Sequence, residues 1–458
     1  MNKKIFLIIG NLIFIFIFTF FLCMYNFFIN INNKAIVLLI FFLLIVGISI
    51  IKNQIIIFLF LVSLFIFQYG NLLLNTNNLR IFGFINYKIS KETIILIYNL
   101  LFFNLSGIFF ALITKDKIKK TFFNKNNNHK DNNQMIKIII IFAIISFFPY
   151  IYNNFKTYLL YKTNYSYVDL YSIKIIGSNI FIRIIGSLYY PSILIGLSLF
   201  DKRKKYFIFF ISNLLIYGII GSVYGARNIL IQTIFFIICY YYILYEKKIK
   251  LKNYFIICIL GVVLIYFSQF MSENRNKTNV SLKQDTIKTF VYNQGITGLY
   301  LALLFDYPNL FDREIPYIFS SIFGEKEVKS KEKILASGNI KLEKQLSARV
   351  NYSFYEKGYG MGGNYIIEMY DFGKKLGVFI LSFLHILFIK KVYRNNIKKY
   401  NLLYRILLLY YLNTVYFITP RASYFPDIFS IRLLEIFILF LFLSFLDRFL
   451  KNVIIWKG

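Results

Sequence analysis

The sequence is poor in the side chains that most often bind metals or form cross-links. Its 458 residues include 2 histidines and 3 cysteines, and they are not grouped at the spacing that metal sites use. Cys23, Cys239 and Cys258 all lie within apolar runs, so no structural disulfide is expected in an exposed region. The sequence therefore predicts a protein that needs no metal and no other cofactor.

Charged residues are also scarce, because they make up 16% of the chain while hydrophobic residues make up 58%. A soluble protein of this length averages more charge, so the composition excludes that class. Long apolar runs recur from one end of the chain to the other, and a helix that crosses a bilayer needs about 20 such residues. The sequence predicts an all-α, polytopic integral membrane protein.

Acidic residues are few relative to basic ones, with 21 Asp and Glu against 53 Lys and Arg and a formal net charge of +32. This excess does not indicate a nucleic-acid-binding protein, because much of it lies in short loops between apolar runs. Cytoplasmic loops of membrane proteins carry such an excess of Lys and Arg. The loops concerned are residues 115–130, 201–205, 246–252 and 390–399.

About twelve transmembrane helices place these loops on one side of the cytoplasmic (inner) membrane, with both termini in the cytoplasm. The predicted helices cover residues 4–25, 35–51, 54–73, 92–114, 136–152, 177–200, 206–223, 228–245, 254–272, 374–390, 402–419 and 430–449. Helices 1–9 occupy residues 1–272, a large external loop with amphipathic helices occupies 273–373, and helices 10–12 occupy 374–458. Within the loop, residues 289–308 are apolar but contain Asn293 and Gln294, so we expect an interfacial or re-entrant helix there.

Arginines on the predicted outer side are the first candidates for a binding site. Arg227 and Arg421 lie in short turns beside small residues, Arg275 follows the ninth helix, and Arg313 and Arg349 lie in the external loop. The planar fork of donors on arginine suits phosphate and diphosphate groups. The alternative for any one of them is that its side chain reaches to lipid headgroups.

A glycine-rich stretch precedes the tenth helix in "GYGMGGNYIIEMYDFG", whose loop glycines are Gly358, Gly360, Gly362 and Gly363. Free backbone N–H groups at a helix start bind anions, and Asn364 is the predicted N-cap. Glu368 follows one turn later. It is positioned either to accept a proton from an attacking sugar hydroxyl or to pair with an arginine and hold helices in place. Gly373 and Gly377 are expected to break the helix before its bilayer part.

Three segments occur in chain order: "GSVYGARN", "GYGMGGNYIIEMYDFGKKLGVFI" and "PRASYFPDIFSIR". Together they resemble the O-antigen polymerase and oligosaccharide repeat unit polymerase family of bacterial envelopes, over roughly residues 200–435. In that family a Gly-Ser-x-Arg turn precedes a helix, whereas this chain has extra residues between Ser222 and Arg227.

The resemblance implies a membrane glycosyltransferase for polysaccharide of the O-antigen (lipopolysaccharide) or capsule type. Its substrates would be oligosaccharides carried on undecaprenyl diphosphate, and a chain-length regulator and a flippase would be possible partners. Arg227, Arg421 and Glu368 would then be catalytic, and the other arginines, the loop glycines and Asn364 would bind substrate. Arginines stabilise a diphosphate leaving group without a metal.

Two alternatives come from other functions of polysaccharide export. An O-antigen ligase has a comparable loop but carries a histidine in it, and no histidine falls on the predicted outer side here. A flippase would place charged residues within helices along a central cavity. A structural or sensory membrane protein without chemistry is the third alternative.

Arg432 and Glu435, at positions i and i+3 of the last helix, are interpreted as a structural pair.

The predicted topology is open to a labelling experiment in a chain whose native cysteines are replaced by serine. A single cysteine at Ser330 is expected to react with an impermeant maleimide on intact cells, because residues 273–373 are predicted to lie outside. A single cysteine at Asn128 is the matched control and is expected to react only after permeabilisation. Labelling of Asn128 but not Ser330 on intact cells would reverse the orientation.

Overall fold

The computed structural model describes residues 3–74, 80–81, 87–114, 132–162, 179–199, 203–222, 227–245, 249–276, 290–291, 294–308, 316–320, 341–350, 352, 355, 362–394, 400–422, 424 and 431–455. Side chains at the ends of some of these ranges are not described, among them those of Arg227 and Arg275.

The described chain is helical apart from one small β ladder. The first half contains α1 (Lys3–Phe27), α2 (Ile31–Ile51), α3 (Ile55–Leu64), a π-helical stretch (Phe65–Tyr69), α4 (Gly70–Leu74), β1 (Arg80–Ile81), β2 (Tyr87–Lys88), α5 (Lys91–Ile113), α6 (Asn132–Lys162), α7 (Ile180–Ser187) and α8 (Tyr189–Ser198). The second half contains α9 (Lys204–Ser222), α10 (Arg227–Tyr245), α11 (Leu251–Asn276), α12 (Ile296–Asp306), a 3₁₀ turn (Tyr317–Phe319), α13 (Leu342–Val350), α14 (Tyr365–Arg394), α15 (Leu402–Tyr411), a second π-helical stretch (Leu412–Tyr416), a 3₁₀ turn (Thr419–Arg421) and α16 (Ile431–Ile455). Strands β1 and β2 pair antiparallel, a minor departure from the all-α prediction.

Each predicted transmembrane segment coincides with helix in the structure. In the described residues, 7 helices are long and apolar enough to cross a membrane. They are Ile31–Ile51, Ile55–Leu73, Lys91–Ile113, Gln134–Leu159, Ile180–Ser198, Lys204–Ser222 and Tyr365–Tyr393, and shorter apolar helices lie at 15–27, 229–245 and 251–267. The polytopic class is confirmed, while the number of spans and their orientation stay predictions.

The helix that follows the predicted N-cap Asn364 begins at Tyr365 and breaks before its predicted transmembrane part. Backbone geometry departs from helical at Gly373 and Lys374, where Lys374 has φ 52°. A Cβ added at Gly377 would lie 2.5 Å from the carbonyl oxygen of Met369, so the two parts of α14 pack closely across the break. The predicted break is confirmed at Gly373, and it separates the turns that carry Glu368 from the part that is predicted to cross the bilayer.

The apolar segment at 289–308 forms the short helix α12, of 11 residues. At 1.5 Å per residue it is about 16 Å long, well short of a bilayer core of about 30 Å. Leu299, Ala302 and Leu303 are fully buried, and the helix packs against α4, α5, α14 and the first π-helical stretch. A short helix rather than a full span is therefore confirmed, and protein surrounds it.

Helices α5 and α14 form the most extensive contact in the core. A small residue, Gly107, lets them approach, because a Cβ there would lie 2.4 Å from the carbonyl oxygen of Phe379 and 2.9 Å from Cβ of Ser382. Next to it the buried Asn104 donates to Ser382 Oγ at 2.6 Å and to the Tyr365 hydroxyl at 3.0 Å. Small residues and interhelical hydrogen bonds hold helices together where lipid replaces water.

Gly107→Ala is expected to lower the thermal unfolding midpoint of the purified protein in detergent. The added methyl meets a backbone carbonyl that cannot rotate away, and such overpacking costs about 1–3 kcal/mol. Gly47→Ala is the matched control, because a Cβ at this helical position meets nothing within 4 Å. If both variants melted alike, the close α5–α14 approach would be wrong.

Candidate functional site

Asn364 lies where three separate parts of the chain meet. Its side-chain oxygen accepts hydrogen bonds from the N–H groups of Ile366 at 2.9 Å and Ile367 at 3.2 Å, so the predicted N-cap is confirmed. Its amide nitrogen donates to Gln68 Oε1 at 3.0 Å and to the Thr297 carbonyl at 2.7 Å. The side chain is fully buried. Because both amide hydrogens and the oxygen are engaged inside the protein, Asn364 positions other groups.

The glycines before Asn364 bring the helix start against the turn that carries Arg421. The N–H of Gly363 donates to the carbonyl oxygen of Arg421 at 2.9 Å. A Cβ at Gly363 would lie 2.6 Å from the Ala422 carbonyl oxygen, and Gly362 has φ +80°, which favours glycine. The glycine-rich segment and the segment "PRASYFPDIFSIR", both of which carry the family resemblance, are thus in direct backbone contact.

The first π-helical stretch and α3 hold the same turn from its other side. Ser63 Oγ donates to the carbonyl of Phe417, and Gln68 Nε2 donates to the carbonyl of Pro420. All of these partners are buried, and Thr297 Oγ1 donates to the nearby carbonyl of Phe67 at 2.8 Å. We use the name polar junction for the residues that hold the Arg421 turn and the start of α14 together. They are Gln68, Gly363, Asn364 and Arg421, with Gln294 and Glu368, whose contacts are described below.

Arg421 extends from the polar junction into a small apolar cavity. Its guanidinium donates to Gln294 Oε1 at 3.1 Å and lies 5.7 Å from the ring centroid of Phe67. The cavity has a volume of about 60 Å³. It is lined by Ser63, Ile66, Phe67, Ile231, Gln232, Phe235, Phe290, Gln294, Phe417, Ile418 and Arg421. The Arg421 guanidinium can bind an anionic group, and the aromatic and apolar lining can bind an apolar tail, so the cavity suits an amphipathic anion.

Arg227 begins the helix α10 that forms one wall of this cavity. The lining residues Ile231 and Phe235 follow Arg227 at i+4 and i+8, so all three lie on one face of the helix. The backbone therefore places Arg227 at the end of the wall that Arg421 also lines. The side chain of Arg227 lies outside the described residues.

Glu368 faces the Arg421 turn rather than the cavity. It is 1% exposed, and its Oε2 accepts a hydrogen bond from the N–H of Tyr424 at 2.7 Å. Burial raises the pKa of the Tyr424 hydroxyl, which stays protonated and donates to the Leu381 carbonyl at 2.9 Å. This geometry favours the positioning alternative for Glu368, and its role as a catalytic base stays a prediction.

The other predicted site residues are not brought to the polar junction by any described contact. Arg349 is half-buried in the last turn of α13. That helix is tied to α14 through Tyr317, whose hydroxyl bonds Gln345 and whose N–H donates to Asp371 at 2.7 Å. Arg275 lies in the last turn of α11, and its side chain is not described. Arg313, Gly358 and Gly360 lie outside the described residues.

Gln68 is the junction residue that sequence reasoning missed. It lies in a strongly apolar helix, and a polar side chain in such a run signals a buried partner. In the sequence, Gln294 argues against a full membrane span, but the hydrogen bond that it accepts from Arg421 cannot be predicted from its position in the chain.

Comparison with known proteins identifies the relatives of the chain. The family model described as O-antigen polysaccharide polymerase Wzy matches residues 8–453, which is nearly the whole chain. Neither a comparison with curated proteins nor one with solved structures gave a match.

Proposed function

Because the chain belongs to the O-antigen polysaccharide polymerase family, we propose that it joins oligosaccharide units carried on undecaprenyl diphosphate at the outer face of the cytoplasmic membrane. The family implies a multi-pass membrane glycosyltransferase that polymerises lipid-linked repeat units. This membership sets aside the ligase, the flippase and the protein without chemistry. A flippase that delivers the units and a chain-length regulator are the partners that we propose.

The observation that carries the proposed mechanism is the placement of Arg421. Its guanidinium lies at an apolar cavity and is held by Gln294 and by a backbone anchored to Gly363. We propose that Arg421 and Arg227 bind the diphosphate of the growing chain, and that the first isoprene units lie against the aromatic wall. A diphosphate bound by forked donors needs no metal to depart.

In the proposed reaction, a hydroxyl oxygen of the incoming unit attacks the anomeric carbon of the growing chain. The new C–O bond forms as the bond to the diphosphate breaks, and the electron pair leaves with the diphosphate. The hydroxyl proton passes to a base. Fixed positive charge at the leaving oxygen lowers the barrier because it is already oriented before charge develops.

We propose that Glu368 positions Arg421 indirectly, by fixing the N–H of Tyr424 just after the turn. A buried carboxylate that accepts from a backbone N–H forms a strong, charge-assisted bond. Asn364 and Gly363 act in the same way from the other side. Arg275, Arg313 and Arg349 remain candidates for contacts with the saccharide, together with Gly358, Gly360 and Gly362.

Arg421→Lys and Arg227→Lys are each expected to reduce polymerisation by about 100- to 1000-fold, the usual cost of losing one oriented donor at a developing charge. Lysine keeps the charge but lacks the planar fork. The measurement is polymer formed per unit time by purified protein given lipid-linked units. Arg183→Lys is the matched control, since Arg183 is an exposed arginine of α7 that does not line the cavity. Full activity of both variants would rule out this diphosphate site.

Glu368→Gln separates the two roles of Glu368. If Glu368 positions the turn, the amide oxygen of glutamine still accepts from Tyr424 and the rate is expected to fall by about tenfold or less. Glu368→Leu removes the acceptor and is expected to reduce both the rate and the thermal unfolding midpoint. A loss of 100-fold or more in Glu368→Gln, with an unchanged midpoint, would instead assign Glu368 as the general base.

A further inference from the structure

A second cavity lies apart from the one at Arg421, between α6, α7, α8, α9 and α16. Its volume is about 320 Å³, within the range of about 300–1,000 Å³ typical of small-molecule sites. None of the residues that line it lines the Arg421 cavity. The polar residues that line it are Tyr150, Ser187, Tyr190, Tyr217, Arg432 and Glu435.

Three tyrosines form one wall of this cavity, with the ring of Tyr217 packed between the other two. The centroid of Tyr217 lies 5.3 Å from that of Tyr150 and 4.9 Å from that of Tyr190. The Tyr150 hydroxyl donates to the Tyr217 carbonyl at 3.1 Å, and Tyr190 accepts from Asn413 Nδ2 at 2.8 Å. Because Tyr217 packs against a ring on each side and its two neighbours are hydrogen-bonded, the wall is held in place and offers its hydroxyls to a ligand.

Arg432 and Glu435 provide opposite charges at the same cavity. Within the described part of the chain the Arg432 guanidinium has no hydrogen bond and no ion pair. The Glu435 carboxyl lines the cavity with Ser187, whose hydroxyl donates to the Ile184 carbonyl at 2.9 Å, and it lies in the field of Arg432. The two charges expected to pair from their i, i+3 spacing attract each other, and because no described hydrogen bond uses the donors of Arg432, these donors remain available to a ligand.

From these groups we propose that the cavity binds a sugar ring of the saccharide chain through its hydroxyls. This inference rests on the proposed function. A sugar hydroxyl both donates and accepts, and neighbouring hydroxyls are met by the donors of Arg432, the acceptors of Glu435 and the tyrosine hydroxyls. A diphosphate would be repelled by Glu435, which offsets the charge of Arg432. The charge balance therefore favours an uncharged, hydroxyl-rich ligand.

The cavity is connected along the chain to both arginines of the proposed reaction site. Asn413, which bonds Tyr190, belongs to the π-helical stretch that leads into the turn of Arg421. Tyr217 lies near the end of α9, and the next helix begins at Arg227. A saccharide held against Tyr190 and Tyr217 therefore lies beside the two segments that we propose to bind the diphosphate.

The test measures sugar binding and diphosphate binding separately, in protein reconstituted into lipid nanodiscs. One probe is the repeat-unit oligosaccharide released from its lipid diphosphate by mild acid. The other is undecaprenyl diphosphate without sugar. Arg432→Met and Glu435→Leu are each expected to weaken oligosaccharide binding by about tenfold or more, the effect of losing one hydrogen bond to a charged group. Neither is expected to change undecaprenyl diphosphate binding.

Arg183→Met is the matched control for Arg432→Met, because Arg183 lies in α7 outside the cavity. Equal oligosaccharide binding by wild type, Arg432→Met and Glu435→Leu would overturn the sugar site. Loss of undecaprenyl diphosphate binding in Arg432→Met would also overturn it, since the cavity would then hold an anion. A different result would show that the proposed function is wrong: Arg421→Lys would keep both its undecaprenyl diphosphate binding and its polymerase activity. Tyr217→Phe, which keeps the ring stack, guards against misfolding and is expected to weaken oligosaccharide binding to a smaller extent.

Discussion

The structure depends on the requirement that polar groups away from water find their partners inside the protein. Asn364 shows the consequence most directly, since one fully buried amide joins the start of α14 to Gln68 and to the carbonyl of Thr297. Any shift of α12 or of the first π-helical stretch would leave a donor or acceptor of this amide unmatched. Leaving one unmatched costs about 1–3 kcal/mol, so the amide fixes three segments relative to one another.

Close backbone approach then converts this fixed arrangement into a site. A Cβ on residue 363 would lie 2.6 Å from the carbonyl oxygen of Ala422. Because Gly363 has no Cβ, the turn that carries Arg421 packs directly against the start of α14. Gln294, just before α12, accepts a hydrogen bond from the Arg421 guanidinium. The cation is therefore oriented by groups that are themselves immobilised by packing, which is what electrostatic stabilisation of a leaving group requires.

Local features of this arrangement could be predicted, whereas the pairings could not. Hydropathy located the long apolar helices, and the N-cap at Asn364 and the break at Gly373 followed from neighbouring residues alone. The bond between Gln68 and the carbonyl of Pro420 joins positions that are 352 residues apart. A polar residue in an apolar run tells us that a partner exists but not which one. The orientation of Glu368 depends on the backbone N–H of Tyr424. Every residue except proline has such a group, so the side chains in the sequence do not identify this partner.

A division of charge between the two cavities follows from the proposals and suits a repeated transfer. Arg421 faces aromatic and apolar residues, so it favours a dianion, while Arg432 is balanced by Glu435 and favours hydroxyls. If one cation served both purposes, binding the diphosphate tightly would also slow its release after each transfer. With separate cavities, the lipid diphosphate leaves one site while hydroxyl contacts retain the sugar at the other. The protein can therefore retain the saccharide while it releases the lipid diphosphate.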